Sequence, residues 1–399
     1  MIDRRLLLLS AAAIPVATVA PTPVTSGLPP FTVWAAAIDK LDYAIANQTV
    51  RLALRAIAGA PMLRIRISNA FGTEPLEVAS SHLGIRDAGA AVRRGTNREL
   101  AFGGRRSISI PAGASVVSDR VALPIAAGAD LLASIAVRGR PSTVTGHLRP
   151  KDWSWLSAPG DFGVTEDADA FPTRVPHWFF VDALIGEGSA NAGTVAFLGD
   201  SITDSGAEPR GGYQGWVDFL ARRVAATPGA LPLGLANLGI SGNRITAQRP
   251  GAGANALARF DRDIAGLPGV HTLVLFEGIN DIYGTPIAAA ELIQAHAQLA
   301  LRARLRGLRV IGATLLPTRR QSFTDEREGV RAALNRFIRT SPLYDAVIDF
   351  DRIGGDPADP LALRPAYDSG DRLHPGPAGY RAMADAVALD LLYPKRLPR

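Results

Sequence analysis

The residues of this chain best suited to covalent chemistry are a serine and a histidine–aspartate pair. Ser201 stands in the segment Gly-Asp-Ser-Ile at 199–202, directly after an apolar run, where glycine allows a tight turn into a following helix. Asp371 and His374 are three residues apart, a spacing that predicts both side chains on one side of a helical turn. An imidazole can take the serine proton while a carboxylate orients that imidazole, so these residues predict nucleophilic catalysis by serine.

Two further segments carry groups that can donate hydrogen bonds to a developing oxyanion. Gly242, in Asn-Leu-Gly-Ile-Ser-Gly-Asn at 237–243, offers an unshielded backbone N–H, and Asn280, in Glu-Gly-Ile-Asn-Asp at 277–281, offers a side-chain amide. The N–H of Ser201 would lie at a helix N-terminus, where the helix dipole favours negative charge. Structural interpretations exist as well: Ser201 as a helix N-cap, Gly242 in a simple turn, and Asn280 in an Asx turn. The Asp-x-x-His sequence can likewise be a structural pair.

These polar segments lie among apolar runs that alternate with amphipathic stretches. The apolar runs cover 194–198, 233–238, 273–276, 310–315 and 346–350, and the amphipathic stretches cover 215–224, 288–306 and 326–338. Continuous apolar strands that alternate with helices predict a parallel sheet covered on both faces. Reactive groups in such sheets gather where the carboxyl ends of strands meet helix N-termini, so we expect the polar segments to meet at one edge.

The first half of the chain has a different hydrophobic pattern. Polar and apolar residues alternate in runs at 50–54, 63–67, 107–110 and 131–137, with glycine-containing turns between them. This alternation predicts antiparallel strands in a β-sandwich-like domain, with Arg64 and Arg66 facing away from its apolar side. We therefore predict a β-rich N-terminal domain with an aromatic connector at 28–188, and a domain that carries the candidate site at 189–399.

The connector at 150–180 is rich in aromatic residues. Its candidate substrate contacts are Trp153, Trp155, His177 and Trp178, because aromatic rings can stack on sugar or acyl groups. The alternative interpretation is that the tryptophans pack the junction between the domains and that His177 is structural.

Composition narrows the classes of function. The 399 residues are 47% hydrophobic and 20% charged, with a net charge of +6, a balance typical of globular domains. No cysteine is present, which excludes disulfides, thiolate catalysis and cysteine-bound metals. The sequence has neither a His-Glu-x-x-His motif nor a phosphate-binding loop, so we expect no metal and no cofactor. Because no run of basic residues is interleaved with aromatics, we expect no nucleic-acid partner.

Residues 1–27 predict a signal peptide. Arg4 and Arg5 precede an apolar run at 6–9 and a stretch of small apolar residues through Ala20, which is the pattern of an export signal. The adjacent arginines favour the twin-arginine route. The alternative is a disordered or membrane-anchored start, although the apolar run is shorter than the ~20 residues of a spanning helix. We expect a secreted or periplasmic protein without stable membrane insertion, and the oligomeric state stays open.

Taken together, the polar segments resemble the sequence blocks of the GDSL/SGNH hydrolase superfamily over residues 194–392. The resemblance implies an α/β fold with a flavodoxin-like five-stranded parallel sheet. It implies a catalytic domain in which Ser201 is the nucleophile and Asp371 and His374 complete the triad. It also implies an oxyanion hole formed by Ser201, Gly242 and Asn280. The first block reads Gly-Asp-Ser-Ile where the family name has Gly-Asp-Ser-Leu, a conservative departure.

The family resemblance leaves the substrate open, since the superfamily includes short-chain esterases, lipases, thioesterases and carbohydrate deacetylases. We expect a serine hydrolase that cleaves carboxylic esters, with short acyl or O-acetyl groups, through an acyl-enzyme intermediate. The expected substrates are small-molecule esters or acetylated polysaccharides. A lipase or phospholipase is one alternative, and an inactive carbohydrate-binding protein on the same fold is another. The complete set of triad residues and oxyanion donors favours an enzyme.

Overall fold

Alternating residues in the first half of the chain form β-strands. The structure is a computed structural model that describes residues 28–205, 210–284, 286–320 and 322–394. The predicted signal peptide at 1–27 lies outside these residues. The strands of the β-rich region, 28–188, are β1 Phe31–Ala35, β2 Asp39–Leu41, β3 Gln48–Arg55, β4 Ala60–Ser68, β5 Leu76–Ile85, β6 Arg98–Glu99, β7 Ile108–Ile110, β8 Ser115–Val117, β9 Val121–Ile125, β10 Asp130–Arg138, β11 Val144–His147, β12 Ser154–Pro159, β13 Thr173–Val175, β14 Trp178–Phe179 and β15 Val181–Glu187.

Two antiparallel sheets share the hydrophobic core of this region. One sheet has the order β1-β15-β4, with β8 and β9 both paired to β4, and the other has the order β13-β12-β3-β10-β5, with β6 and β7 paired to β5. Leu52, Ile65 and Ile135 are fully buried in the core to which both sheets contribute. The structure therefore confirms the predicted all-β N-terminal region.

The polar face of β4 is covered at Arg66, whereas 28% of the Arg64 side chain is exposed. Arg64 and Arg66 point away from the core, yet only 10% of the Arg66 side chain is exposed. Arg66 donates to Asp182 Oδ1 at 2.6 Å and to the carbonyl oxygen of Gly266 at 2.6 Å. Because Gly266 belongs to the second half of the chain, this face of the sheet packs against the α/β region.

The aromatic segment at 150–180 is more than a connector. Its strand β12 pairs with β3 on one side and β13 on the other. The strand β14 joins a small sheet of order β14-β11-β2. Its apolar residues are therefore part of the β-rich region, where pairing satisfies their backbone groups.

The second half of the chain, 189–394, is called the α/β region here, and it forms a parallel sheet. Its strands are β16 Thr194–Gly199, β17 Gly234–Gly239, β18 Val270–Phe276, β19 Arg309–Ala313 and β20 Ala346–Ile348. In the described residues the strand order is β17-β16-β18-β19-β20. This is the flavodoxin-like order, in which the first strand lies between the second and the third. The predicted fold class is confirmed.

Helices connect these strands and cover the sheet. They are α1 Ser201–Asp204, α2 Trp216–Ala225, α3 Ala256–Phe260, α4 Ile279–Gly284, α5 Ala289–Leu305, α6 Asp325–Thr340, α7 Phe350–Gly354 and α8 Pro377–Ala386. Apolar residues of α5, such as Leu292 and Leu299, are fully buried against the sheet. No helix in the described ranges is both long enough and apolar enough to cross a membrane.

The strand β1 links the two regions by lying against β17. The backbone N–H of Thr32 donates to Thr194 Oγ1 at 2.9 Å. A Cβ atom on Gly234 would lie 1.9 Å from the carbonyl oxygen of Thr32, so only glycine allows this approach. Ala35 and Ala183 of the β-rich region belong to the same hydrophobic cluster as the central strands of the α/β region. The regions thus share a continuous packed contact.

Candidate active site

The candidate nucleophile lies at the first turn after the central strand. The β16 strand ends at Gly199, and Asp200 is the N-cap of α1, with its Oδ1 accepting the Ile202 N–H at 2.9 Å. Ser201 is therefore the first residue of the helix and not its N-cap. Its N–H is one of the backbone donors that a helix N-terminus leaves without an intrahelical partner.

Two glycines allow α1 to lie directly on the strand ends. A Cβ atom on Gly199 would lie 2.3 Å from Thr203 Oγ1, and one on Gly239 would lie 2.2 Å from the backbone nitrogen of Asp204. Side chains at these two positions would push α1 outward. The glycines therefore set the distance between Ser201 and the sheet edge.

The structure brings the three predicted triad residues into one hydrogen-bonded chain. Ser201 Oγ lies 2.9 Å from His374 Nε2, and His374 Nδ1 lies 2.7 Å from Asp371 Oδ2. Because a carboxylate only accepts hydrogen bonds, Nδ1 carries the imidazole proton and Nε2 is left to accept the serine proton. This is the arrangement that lets an imidazole act as a general base.

The segment 371–374 is not the helical turn that its spacing predicted. It is a bent loop in which Arg372 has a φ of 62°, in the left-handed region. Asp371 Oδ1 accepts the backbone N–H groups of Leu373 at 3.0 Å and His374 at 2.8 Å. The proximity of Asp371 and His374 therefore comes from side-chain-to-backbone hydrogen bonds and not from helical geometry.

Two carboxylates near Ser201 have pKa values that move in opposite directions. Burial alone would raise the pKa of Asp371, but the hydrogen bonds and the charge of His374 outweigh burial and lower it. Burial raises the pKa of Asp200 to about 6, against the lowering effects of the Ile202 N–H and of His374. Asp371 is thus kept ionised beside the imidazole, whereas the capping carboxylate is destabilised in its charged form.

The candidate oxyanion donors come from the strands on either side of β16. Gly242 lies in the loop after β17 with a φ of 80°, where glycine is favoured, and Asn280 lies in the first turn of α4 after β18. Among the described residues, the buried Nδ2 atom of Asn280 has no hydrogen-bond partner. A buried donor without an acceptor is costly in a folded protein. It is expected where a ligand oxygen supplies the acceptor.

Buried polar residues that the sequence analysis did not single out hold these loops. Asp281 accepts the N–H groups of Ile245 and Thr246, each at 2.9 Å, so α4 supports the loop after β17. The fully buried Arg259 donates to the carbonyl oxygens of Leu238 at 2.7 Å and Gly199 at 3.1 Å. No local motif marks these two contacts of Arg259, because Leu238 and Gly199 lie 21 and 60 residues away in the sequence.

The predicted substrate contacts lie in different environments. Trp155 and Trp178 are only 8% and 5% exposed, so they pack the β-rich region and its junction and leave little ring surface for a substrate. Trp153 is half-buried, with the guanidinium groups of Arg174 and Arg210 4.2 Å and 5.0 Å from its ring centroid. His177 is half-buried, and its Nδ1 donates to the carbonyl oxygen of Leu148 at 2.9 Å. Substrate contact by Trp153 or His177 stays a prediction.

Within the described ranges, no group of three or more histidine, aspartate or glutamate side chains is arranged to hold a metal ion. The expectation of a reaction without metal or cofactor stays a prediction from the sequence.

The comparison with known protein families agrees with the motif analysis of the α/β region. Residues 197–382 match the GDSL-like Lipase/Acylhydrolase family. Similar solved structures include an acetylxylan esterase from Geobacillus stearothermophilus, with 23% identity, coverage of 48% of this chain and 91% of that chain, and a TM-score of 0.39. They also include a GDSL-like lipase from Bacteroides thetaiotaomicron, with 20% identity, coverage of 48% of this chain and 84% of that chain, and a TM-score of 0.37. No curated protein sequence matches the chain.

Proposed function

Because the α/β region of this chain belongs to the GDSL-like lipase/acylhydrolase family, we propose that the protein is a carboxylic ester hydrolase with Ser201 as its nucleophile. The observation that carries the proposal is the hydrogen-bonded chain from Ser201 Oγ through His374 to Asp371, with distances of 2.9 Å and 2.7 Å. A serine hydroxyl is a weak nucleophile at neutral pH and needs such a base.

In the proposed acylation step, His374 Nε2 takes the proton of Ser201 while Oγ attacks the ester carbonyl carbon. The carbonyl π electrons move to the oxygen, which forms a tetrahedral oxyanion. When this intermediate collapses, the bond to the alcohol oxygen breaks, and His374 gives its proton to the leaving alcohol. Water then attacks the acyl-enzyme, with His374 again as the base, which releases the acid and restores Ser201.

The arrangement of donors around Ser201 supports this scheme. The Ser201 N–H lies at the start of α1, Gly242 lies after β17, and Asn280 lies after β18. The unpartnered Asn280 amide is free to donate to an oxyanion. Donors aimed at a developing negative charge are commonly the largest single contribution to such catalysis. We assign the oxyanion hole to these three groups.

We propose short acyl or O-acetyl esters as the substrates. Lipases and other lipid-binding proteins expose contiguous apolar patches. In the described part of this chain, the exposed large apolar side chains are a pair on α5, Leu301 and Leu305, and single residues on other segments, namely Leu28, Val117, Leu148, Val164 and Leu361. Export through the predicted signal peptide would give the enzyme access to acetylated polysaccharides outside the cell, and that localisation is part of the proposal.

The test is hydrolysis of p-nitrophenyl esters from acetyl to palmitoyl by the wild type and by Ser201→Ala. We expect turnover that falls with acyl-chain length and is lost in the variant. Ser205→Ala is the matched control, since Ser205 is a buried hydroxyl one turn further along, with its Oγ 3.4 Å from the carbonyl oxygen of Thr203. Turnover that survives in Ser201→Ala would overturn the nucleophile assignment, and a preference for palmitoyl esters would favour a lipase.

A further inference from the structure

A histidine of the β-rich region reaches into the α/β region beside α1. His147 ends β11 and is only 5% exposed. Its Nδ1 lies 2.7 Å from the carbonyl oxygen of Ala37, and its Nε2 lies 3.0 Å from Asp204 Oδ1. Asp204 is the last residue of α1, three positions after Ser201. The β-rich region therefore contacts the nucleophile helix through a polar, buried pair.

The two partners of His147 define its protonation state. A carbonyl oxygen and a carboxylate oxygen can only accept hydrogen bonds, so both imidazole nitrogens must carry hydrogen to satisfy them. An imidazolium ion paired with Asp204 satisfies both contacts. Burial alone would lower the pKa of His147, but the Asp204 charge and the hydrogen bonds to Asp204 and to the backbone of Ala37 and Arg149 outweigh burial and raise it.

The second oxygen of Asp204 holds the loop that carries Gly242. Asp204 Oδ2 accepts the Ser241 N–H at 2.9 Å and the Ser241 hydroxyl at 2.6 Å. Ser241 directly precedes Gly242. One carboxylate thus joins the imidazolium of the β-rich region, the nucleophile helix and the loop with a candidate oxyanion donor.

We propose that His147 is a positioning residue that, as an imidazolium ion, holds α1 and the Gly242 loop in the geometry that ester hydrolysis requires. The inference rests on the proposed function, since it assigns His147 a role in the reaction of Ser201. His147 does not touch the reacting atoms. His147 acts through Asp204, of which only 4% is exposed. Without His147, Oδ1 of this buried carboxylate would lose its histidine partner.

The proposal predicts a pH dependence with a definite sign. A neutral His147 can donate at one nitrogen only, and its other nitrogen would then present a lone pair to the Ala37 carbonyl or to Asp204. Since the pKa of His147 is raised, the restraint is present at low and neutral pH and is lost as the pH rises through that raised value. The other charged or titratable groups that line the two small cavities beside His147 are Asp39, Arg55, Arg149, Lys151, Tyr213 and Asp218.

These neighbours leave Asp204 as the ion-pair partner of His147. Lys151 is already paired with Asp218 at 2.7 Å, and Arg55 with Asp130 at 2.7 Å. Asp39 accepts the N–H of Gly253 at 3.0 Å. The hydroxyl of Tyr213 donates to Asp152 Oδ2 at 3.0 Å, and burial raises the Tyr213 pKa well above its ordinary value.

The first experiment compares kcat and KM of the full chain and of His147→Gln on p-nitrophenyl acetate as a function of pH. We expect kcat of the variant to fall about 10²-fold at neutral pH with little change in KM, since displacement of catalytic groups by about 1 Å has effects of this size. We also expect kcat of the wild type to fall at alkaline pH, and we expect the pH profile of the variant to lack this fall. His271→Gln is the control, because His271 is a half-buried histidine near the start of β18, at the end of that strand opposite to the one that leads to Asn280.

The second measurement does not depend on activity. Imidazole ¹⁵N shifts of wild-type protein should show one histidine of the six with both nitrogens still protonated above the ordinary histidine pKa, assigned to His147 by its loss in His147→Gln or by its shift in Asp204→Asn. Its midpoint should coincide with the alkaline limb of kcat. A singly protonated His147 at neutral pH, or an unchanged pH profile in His147→Gln, would overturn the inference. If the wild type hydrolyses no ester, the proposed function fails, while the ¹⁵N titration still tests the imidazolium.

Discussion

Two histidine–aspartate pairs lie on either side of the nucleophile serine, one in the loop before α8 and one at the junction of the two regions. In the first, His374 and Asp371 are three residues apart, and their side chains are 20% and 37% exposed. In the second, His147 and Asp204 are 57 residues apart, and their side chains are 6% and 5% exposed. The imidazole–carboxylate distances are similar, 2.7 Å and 3.0 Å.

The pairs differ in what faces the second imidazole nitrogen. His374 faces the hydroxyl of Ser201, which can donate or accept a hydrogen bond. His147 faces the carbonyl oxygen of Ala37, which only accepts. The same pair of residue types can therefore act as a base in one place and as a fixed cation in the other. The neighbour of the histidine, more than its aspartate partner, determines the role.

The sharpest test of this comparison replaces each histidine by glutamine. We expect His374→Gln to lower kcat by roughly 10⁴–10⁶, because glutamine cannot accept the serine proton. His147→Gln should have a much smaller effect, since it removes a restraint and leaves the base in place. Single-turnover kinetics on p-nitrophenyl acetate measures both. Equal losses in the two variants would break the distinction between base and positioning residue.

The aspartate of the triad should have the next largest effect. We expect Asp371→Asn to lower kcat by about 10³–10⁴, because asparagine no longer favours the productive imidazole tautomer. The pKa of Asp371 is lowered in the folded state. Ionised Asp371 therefore stabilises the fold at pH values above the ordinary carboxyl pKa, and this stabilisation is lost as the pH falls through the lowered pKa. In denaturant titrations, the difference in free energy of unfolding between wild type and Asp371→Asn should therefore disappear only in strongly acidic solution.

A suitable control for Asp371→Asn is Asp359→Asn. Asp359 is an aspartate paired with Arg319 at 3.0 Å, outside the triad. Its replacement should leave kcat unchanged. A kcat for Asp371→Asn equal to that of Asp359→Asn would remove Asp371 from the triad.

The donors next to the triad give a smaller expected effect. Asn280→Ala should lower kcat by about 10²–10³ with KM nearly unchanged, since the amide is proposed to bind the oxyanion and not the ground state. Steady-state kinetics on the acetyl ester separates the two parameters. Asn191→Ala is the control, because Asn191 donates to the carbonyl oxygen of Pro29 at 2.9 Å, far from the triad in the fold. A rise in KM alone would assign Asn280 to substrate binding.

The smallest expected effect concerns Asp200, a carboxylate beside Ser201 whose hydrogen-bond partner is a backbone N–H. Burial raises the pKa of Asp200 to about 6, so the folded state loses stability as the pH rises through that value. Asparagine keeps the acceptor for the Ile202 N–H without the charge. We expect Asp200→Asn to exceed the wild type in free energy of unfolding by about 1–3 kcal/mol at pH 8 and by less at pH 4. Urea denaturation at both pH values checks this, and an unchanged difference would refute it.

The sequence by itself indicates the α/β fold and the family of the second half, together with residues 199–202, 237–243, 277–281 and 371–374 as the candidate site. This succeeds because parallel strands are continuous apolar runs and reactive groups follow their carboxyl ends. The strict alternation around Leu63 and Ile67 likewise indicates the all-β region. The helical turn predicted for Asp371 and His374 is wrong, because the Asp371 side chain bonds to the backbone of its own loop and bends it.

Only the tertiary structure decides how the two regions are joined. His147 and Asp204, or Arg259 and Gly199, are tens of residues apart and carry no periodic or local signal. The aromatic segment at 150–180 belongs to the sheets because β3 and β11 offer it backbone partners. Local patterns report which face of an element is apolar. Long-range hydrogen bonds between buried polar groups depend on the packing of whole elements, which no short stretch of sequence contains.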